Sequence, residues 1–139
     1  MTAATDGGKA APLGVYVHFP YCERICPYCD FVVAGRARAR IDHRAYADAV
    51  LCELARRADA CAGRPLGSVY FGGGTPSLWE PREVGRVLEA VVRCAGATVE
   101  PLEVTLEANP SSLDRPTARA LVASGVDRLS LGVQSLDAG

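Results

Sequence analysis

Three cysteines near the start of the chain, Cys22, Cys26 and Cys29, have a spacing that suits an iron–sulfur or metal centre. They follow one another in a C-x3-C-x2-C pattern, just after an apolar run that ends at Phe19. An iron–sulfur cubane normally takes four cysteine thiolates. With three thiolates, one iron has no protein ligand, and metal sites that do chemistry keep such an open position for a substrate or cofactor. The spacing therefore indicates either an incomplete site or an open one.

Length and composition are those of a single globular domain. The chain has 139 residues, of which 49% are hydrophobic and 22% charged. No apolar segment approaches the roughly 18 residues that a membrane span needs. A net charge of −1 gives no general attraction to nucleic acid or anionic lipid. Residues 1–12 lack the basic and apolar parts of a signal peptide, so we expect a disordered tail and a cytoplasmic protein.

The other cysteines, Cys52, Cys61 and Cys94, fall inside helical patterns. A reducing cytosol disfavours disulfides, and free cysteine is among the most often buried residue types. We therefore expect these three side chains to be small buried hydrophobic groups.

Apolar periodicity predicts four strands alternating with three helices. The strands are expected over 13–19, 66–71, 102–106 and 128–133, and the helices over about 42–61, 80–94 and 114–125. Asp42 and Asp114 are the expected N-caps. Short connections between alternating strands and helices predict parallel strands joined by right-handed crossovers, an α/β architecture.

Each helix has a predicted buried face. The expected buried residues are Tyr46, Val50, Leu54, Ala58 and Cys61 in the first helix, Val84, Val87, Leu88 and Val91 in the second, and Ala118, Leu121 and Val122 in the third.

Every predicted strand is followed directly by residues that suit a ligand site. The cysteines follow the first strand, a Gly-Gly-Gly-Thr run (72–75) the second, Glu107 the third and Gln134 the fourth. Ligands of parallel α/β folds bind at the carboxyl edge of the sheet, so these groups should converge on one rim. Four strands are too few to close a barrel, and we expect the chain to be the N-terminal part of a longer protein.

The motif from Val17 to Cys29 resembles the cluster motif of radical S-adenosylmethionine (SAM) enzymes. The runs 72–76, 103–110 and 131–135 recur in the order seen in the branch that contains oxygen-independent coproporphyrinogen III oxidase and the heme chaperone HemW. The resemblance covers residues 13–137. It implies that 13–139 form a radical SAM core, the first part of a partial (β/α)6 barrel with four parallel strands and crossover helices.

The resemblance also implies cofactors and contacts. Cys22, Cys26 and Cys29 would bind three irons of a 4Fe-4S cluster, and SAM would chelate the fourth. The reduced cluster would then break the carbon–sulfur bond of SAM to give a radical. The implied cofactor contacts are Tyr16, Tyr28, Gly73, Gly74, Thr75, Glu107 and Gln134. The glycine run suits this role independently, because glycine permits close backbone approach.

One position separates the two named relatives. The oxidase branch carries a further cysteine two residues after the last ligand, and this chain has Phe31 there. The resemblance therefore favours a HemW-like chaperone, with heme as cargo for an unidentified acceptor protein. The alternative is the oxidase, which decarboxylates two propionates of coproporphyrinogen III. The residues alone also leave open a structural zinc module built from the three cysteines and His18. If the chain holds a cluster instead, His18 has either a structural role or a position next to the cluster.

Overall fold

The computed structural model describes residues 11–61 and 63–135. In chain order the elements are β1 (Leu13–Phe19), β2 (Tyr21–Cys22), β3 (Ala34–Gly35), α1 (His43–Arg56), α2 (Ala58–Cys61), β4 (Leu66–Gly73), α3 (Pro81–Ala95), β5 (Thr98–Ala108), α4 (Arg115–Ala123) and β6 (Arg128–Leu131). Four of the strands form one sheet in the order β1-β4-β5-β6, and every neighbouring pair is parallel. The predicted α/β class with four parallel strands is confirmed.

Side-chain alternation gives the sheet two different faces. One face carries Val17 and Phe19 of β1 and the alternate residues of β4 and β5, which pack against α3 in the buried core. The predicted buried face of α3, Val84, Val87, Leu88 and Val91, is confirmed. The alternate residues Tyr16, His18 and Glu107 lie on the opposite face, because successive side chains of a strand point to opposite sides.

An aromatic cluster packs the start of α1 against the end of β1. The ring of Phe19 stacks on that of Trp79 with centroids 5.0 Å apart, and Tyr46 meets Phe19 edge-on at 5.7 Å. The indole N–H of Trp79 donates a hydrogen bond to the carbonyl oxygen of His43 at 3.1 Å. Because the indole is fully buried, this bond satisfies a donor that would be costly to leave unpaired.

The expected helix caps are confirmed. A carboxylate oxygen of Asp42 accepts a hydrogen bond from the backbone N–H of Ala45 at 2.9 Å, and Asp114 accepts one from Thr117 at 2.8 Å. Hydrogen bonds from Thr117 also lower the pKa of Asp114, since they favour the charged carboxylate.

The first predicted helix is divided in two, which corrects the sequence prediction. Helix α1 ends at Arg56, where the N–H of Arg57 is shared between the carbonyls of Glu53 and Leu54. The helical phase is interrupted at this point. Ala58 is consequently exposed and not buried as expected, whereas Cys61 is buried as expected.

Two other burial predictions are wrong. Cys52 is exposed, because Val50 and Leu54 point to the core and residue 52 lies on the opposite side of α1. Val122 is 67% exposed, since α4 reaches the core through Leu121. Cys94 is partly buried. The strands also differ at their ends: β4 runs to Gly73, β5 begins at Thr98, and β6 ends at Leu131.

A short pair of parallel strands that the sequence did not predict closes the loop that carries Cys22, Cys26 and Cys29, which we call the cysteine loop. Strand β2 contains Cys22, and β3 lies after the last cysteine of the motif. The carbonyl of Pro20 accepts from the N–H of Ala34 at 2.7 Å, and that of Cys22 accepts from Arg36 at 2.8 Å. The chain therefore returns beside its own entry point before α1 begins.

Part of the expected tail, residues 1–10, lies outside the described residues. Within the described part, the carbonyls of Ala11 and Pro12 accept hydrogen bonds from Arg64 at 3.0 and 3.1 Å. No helix formed by residues 11–61 and 63–135 has both the length and the hydropathy to cross a membrane.

Candidate cluster and cofactor site

A cavity of 320 Å³ lies at the carboxyl edge of the main sheet. Every site residue singled out from the sequence, except Tyr16, lines it: Cys22, Cys26, Cys29, Tyr28, Gly73, Gly74, Thr75, Glu107 and Gln134. These residues come from the cysteine loop and from the ends of β4, β5 and β6. The fold therefore brings together groups that are up to 112 residues apart in the chain (134 − 22).

The glycine turn at the end of β4 is sterically constrained. Gly73 has φ = +120°, and a Cβ built there would lie 2.5 Å from atoms of the His18 ring. A Cβ at Gly74 would lie 2.7 Å from the carbonyl oxygen of Tyr21. Glycine is required at both positions, because the turn passes directly against β1 and the base of the cysteine loop.

Glu107 joins the ends of β4 and β5. One carboxylate oxygen accepts a hydrogen bond from the hydroxyl of Tyr70 at 2.8 Å, and the other accepts from the N–H of Gly73 at 2.9 Å. The hydrogen bond between Tyr70 and Glu107, together with burial and the charge of Glu107, raises the pKa of Tyr70. Each carboxylate oxygen has a second lone pair, so Glu107 can still accept hydrogen bonds from a ligand in the cavity.

The three cysteines are all partly exposed free thiols. The hydroxyl of Thr75 donates a hydrogen bond to the sulfur of Cys22 at 3.4 Å, which links the cysteine loop to the glycine turn. The N–H of Cys29 donates to the carbonyl of Cys26 at 3.0 Å and forms a tight turn between these two cysteines.

Tyr28 lines the cavity and links two of its sides. Its hydroxyl donates a hydrogen bond to the side-chain oxygen of Gln134 at 3.1 Å. A hydrogen bond with the Cys26 side chain, together with desolvation and the neighbouring cysteines, raises the pKa of Tyr28. The cysteine loop is thus connected to the segment after β6.

The donor set suits an iron–sulfur cluster. Three cysteines on one cavity supply the soft thiolate ligands that iron–sulfur clusters take. Among residues 11–61 and 63–135, no three His, Cys, Asp or Glu side chains are close enough to hold one metal ion. Both ring nitrogens of His18 already have hydrogen-bond partners, Tyr16 and the carbonyl of Val32. These contacts weigh against a zinc site that uses His18.

Tyr16 is not among the residues that line the cavity of the cysteines, although its ring lies on the same face of the sheet as Glu107. It lines a second cavity between β1 and α1, and its ring stacks on that of Tyr70 at 6.1 Å. Burial and the charge of Glu107 raise its pKa. The expected contact between Tyr16 and a cofactor therefore stays a prediction.

Two buried serines support the site and were missed in the sequence. The hydroxyls of Ser77 and Ser112 lie 2.6 Å apart. Ser77 also accepts from the N–H of Asn109 at 3.2 Å, and Ser112 donates to the carbonyl of Asn109 at 3.0 Å. This network ties the turn after β4 to the turn after β5. Tyr70 was missed as well, although its alternation with Phe71 places it on the face of the sheet that carries Glu107.

Comparison with known proteins places the chain in a family. Residues 16–138 match the family model of the Radical SAM superfamily. The bovine (Bos taurus) Radical S-adenosyl methionine domain-containing protein 1, mitochondrial, is 44% identical over 97% of this chain and 31% of its own length. Heme chaperone HemW of Escherichia coli (strain K12) is 34% identical over 91% of this chain and 33% of its own length. The chain belongs to the radical SAM superfamily, as its motifs predicted.

A solved structure agrees with this assignment. The radical SAM enzyme coproporphyrinogen III oxidase (HemN) from Escherichia coli superposes with a TM-score of 0.77 and 30% identity, over 91% of this chain and 29% of that one. The chain thus spans about a third of the length of the relatives it matches. Membership of the family implies SAM and a 4Fe-4S cluster as cofactors.

Proposed function

We propose that this chain is the radical SAM core of a HemW-like heme chaperone. Cys22, Cys26 and Cys29 hold three irons of a 4Fe-4S cluster, and SAM ligates the remaining iron. The observation that carries the proposal is the convergence of these thiols with the glycine turn, Glu107 and Gln134 on one cavity. A cluster with an open iron explains why three thiols, and not four, meet at this rim.

The lining residues have complementary tasks in this proposal. Glu107 and Gln134 provide acceptor oxygens for the ammonium and hydroxyl groups of SAM. Gly74 and Thr75 present backbone that a ligand can approach closely, and the Thr75 hydroxyl stabilises the thiolate of Cys22. When bound, the cluster and SAM supply one-electron cleavage of a carbon–sulfur bond, and the protein's task is to position them.

Phe31 favours the chaperone over the oxidase. Its side chain is 69% exposed and lines the cavity, at the position where the oxidase branch carries an additional cysteine. Heme is then the cargo, and an unidentified protein accepts it. The oxidase is the second candidate, because the HemN fold superposes over most of this chain.

The experiment is anaerobic reconstitution of the full chain with iron and sulfide. We expect about four irons per chain and, after one-electron reduction with dithionite, an electron paramagnetic resonance signal that changes when SAM is added. A colourless protein that binds zinc and no iron would contradict the cluster. Stable uptake of hemin without turnover of coproporphyrinogen supports the chaperone. Anaerobic conversion of coproporphyrinogen in the presence of SAM and a reductant would instead establish the oxidase.

We also propose a cytoplasmic location. All six cysteines are free, which fits a reducing compartment. Because the bovine relative is named as mitochondrial, a mitochondrial location is the other outcome of a cell-fractionation experiment. Neither nucleic acid nor a membrane is a proposed partner.

A further inference from the structure

The cysteine loop is closed at its base by a parallel ladder of backbone hydrogen bonds. Tyr21 pairs with Ala34, and Cys22 pairs with Gly35. The carbonyl of Pro20 accepts from Ala34, and that of Cys22 accepts from Arg36. These bonds fix where the loop begins and where it ends.

The ladder stops at Pro20. In a parallel pair, bonds alternate from one strand to the other, so the next carbonyl toward the cysteines, that of Val32, would accept from the N–H of residue 20. Residue 20 is proline, which has no N–H. Among residues 11–61 and 63–135, no backbone N–H donates to the carbonyl of Val32, which lies three residues beyond Cys29.

The side chain of His18 provides that donor. Its Nε2 lies 2.9 Å from the carbonyl oxygen of Val32. A carbonyl oxygen can only accept, so Nε2 carries the hydrogen. In the neutral ring Nδ1 is then the acceptor, and the hydroxyl of Tyr16 donates to it at 3.0 Å. The two bonds together determine both the tautomer and the ring orientation.

The position of the ring is fixed by its neighbours. The ring lies against Gly73, where a Cβ would come within 2.5 Å of it. The carbonyl of His18 accepts a hydrogen bond from the hydroxyl of Tyr46 at 2.6 Å, which holds the backbone of β1 at this residue. Contacts other than the one with Val32 therefore hold the imidazole in place.

We propose that His18 is a positioning residue that replaces the N–H missing at Pro20 and anchors the segment following Cys29. The anchoring of Val32 stands on the hydrogen bonds alone. Its consequence for an iron–sulfur cluster rests on the proposed function, because it requires that Cys29 be a ligand. Loss of the anchor lets the loop open from its carboxyl side and makes the cluster easier to lose.

Two amide substitutions in the full chain separate the two ring nitrogens. In His18→Gln the side-chain nitrogen reaches about as far as Nε2 and can still donate to Val32. In His18→Asn the amide reaches only the position of Nδ1, next to Tyr16. The matched control is His43→Gln, at the only other histidine of the chain. Circular dichroism establishes that each variant is folded.

The first measurement is backbone hydrogen exchange of Ala34 and Arg36 in the cluster-free protein. We expect exchange about tenfold faster in His18→Asn, the factor for loss of one hydrogen bond, and near wild type in His18→Gln and His43→Gln. Equal exchange in all four proteins would overturn the proposal. Equal acceleration in both His18 variants would also overturn it, because it would show a packing role only.

The second measurement is the rate at which a chelator removes iron from the reconstituted proteins. We expect faster loss from His18→Asn and wild-type loss from His18→Gln. Identical rates in these variants overturn the consequence for the cluster. If wild type takes up no cluster, the proposed function fails, whereas the exchange result still decides whether His18 anchors the loop.

Discussion

The carboxylate of Glu107 lies 2.9 Å from the backbone nitrogen of Gly73 and joins the ends of β4 and β5 at the rim of the cavity. The same carboxylate accepts from Tyr70, so two donors from one strand converge on one side chain of the next. The glycine turn is therefore positioned by an acid that itself faces the cavity. Glu107 has a structural role in addition to the cofactor contact that we propose.

Replacing Glu107 with glutamine should destabilise this junction, since the amide has one acceptor oxygen for two donors. One donor then lacks a partner, which costs about 1–3 kcal/mol of unfolding free energy. The pKa of Tyr70 should fall toward its ordinary value, because the hydrogen bond and charge that raise it are removed. Denaturant unfolding and NMR titration of ¹³C-labelled tyrosine measure both effects.

The control for this substitution is Glu103→Gln. Glu103 lies on the same strand, where it accepts from Thr105 and Arg128 and makes no bond to Tyr70. A Tyr70 pKa that is unchanged in Glu107→Gln, or lowered equally in both variants, contradicts the prediction.

Replacing Gly73 with alanine should lower the unfolding free energy more than replacing a glycine that has positive φ but free space around it. Gly96 also has positive φ, +74°, but nothing lies within 4 Å of a Cβ built there. Gly96→Ala should cost about 1–2 kcal/mol, the penalty for a left-handed residue with a side chain. Gly73→Ala adds a clash with the His18 ring, so we expect a greater loss of unfolding free energy. Equal losses would show that the ring moves aside without cost.

Replacing Cys22, Cys26 or Cys29 with alanine should abolish the cluster, because two thiolates do not hold a cubane. We expect iron and sulfide to fall to background after anaerobic reconstitution of each variant. Cys52→Ala is the control, because this thiol is exposed on α1. Loss of iron in Cys52→Ala would mean that the ligand set is wrong.

The periodic parts of the fold were predictable from the sequence. Local periodicity agrees with the observed elements in two clear cases. These are the alternation of Val15, Val17 and Phe19 in β1 and the helical spacing of Val84, Val87 and Leu88 in α3. The helical spacing relative to Val50 and Leu54 also placed Cys52 on the exposed side of its helix. The average tendency of cysteine to be buried outweighed that phase in the prediction, and this was the error.

Apart from the local break at Arg57, the main unpredicted features depend on long-range pairing. The β2–β3 pair has two residues on each side, too few for any periodicity, and its register depends on how the cysteine loop returns. The bond between Tyr70 and Glu107 depends on the register of β4 against β5. In contrast, the rule that ligands bind at the carboxyl edge of parallel strands was enough to bring Gln134 and the cysteines to one place.

The stability of the cluster-free chain should fall in weak acid, in part through His43. The pKa of His43 is lowered, mainly by burial and also by Arg38, while Glu80 and Asp42 oppose the shift. Its Nδ1 accepts a hydrogen bond from the N–H of Glu80 at 3.3 Å, which only the neutral ring can do. The unfolded chain therefore binds a proton more readily than the folded chain.

The direction of the pH dependence follows from this difference in proton binding between the folded and the unfolded chain. The contribution of His43 is complete above its unfolded pKa, about 6.5, and is lost as the pH falls from there toward the folded value. His43→Asn keeps an acceptor oxygen for Glu80 that does not titrate. The loss of unfolding free energy between about pH 7.5 and about pH 5 should thus be smaller in His43→Asn than in wild type. Denaturant unfolding at the two pH values measures it, and equal losses would show that the protonation of His43 is not coupled to folding.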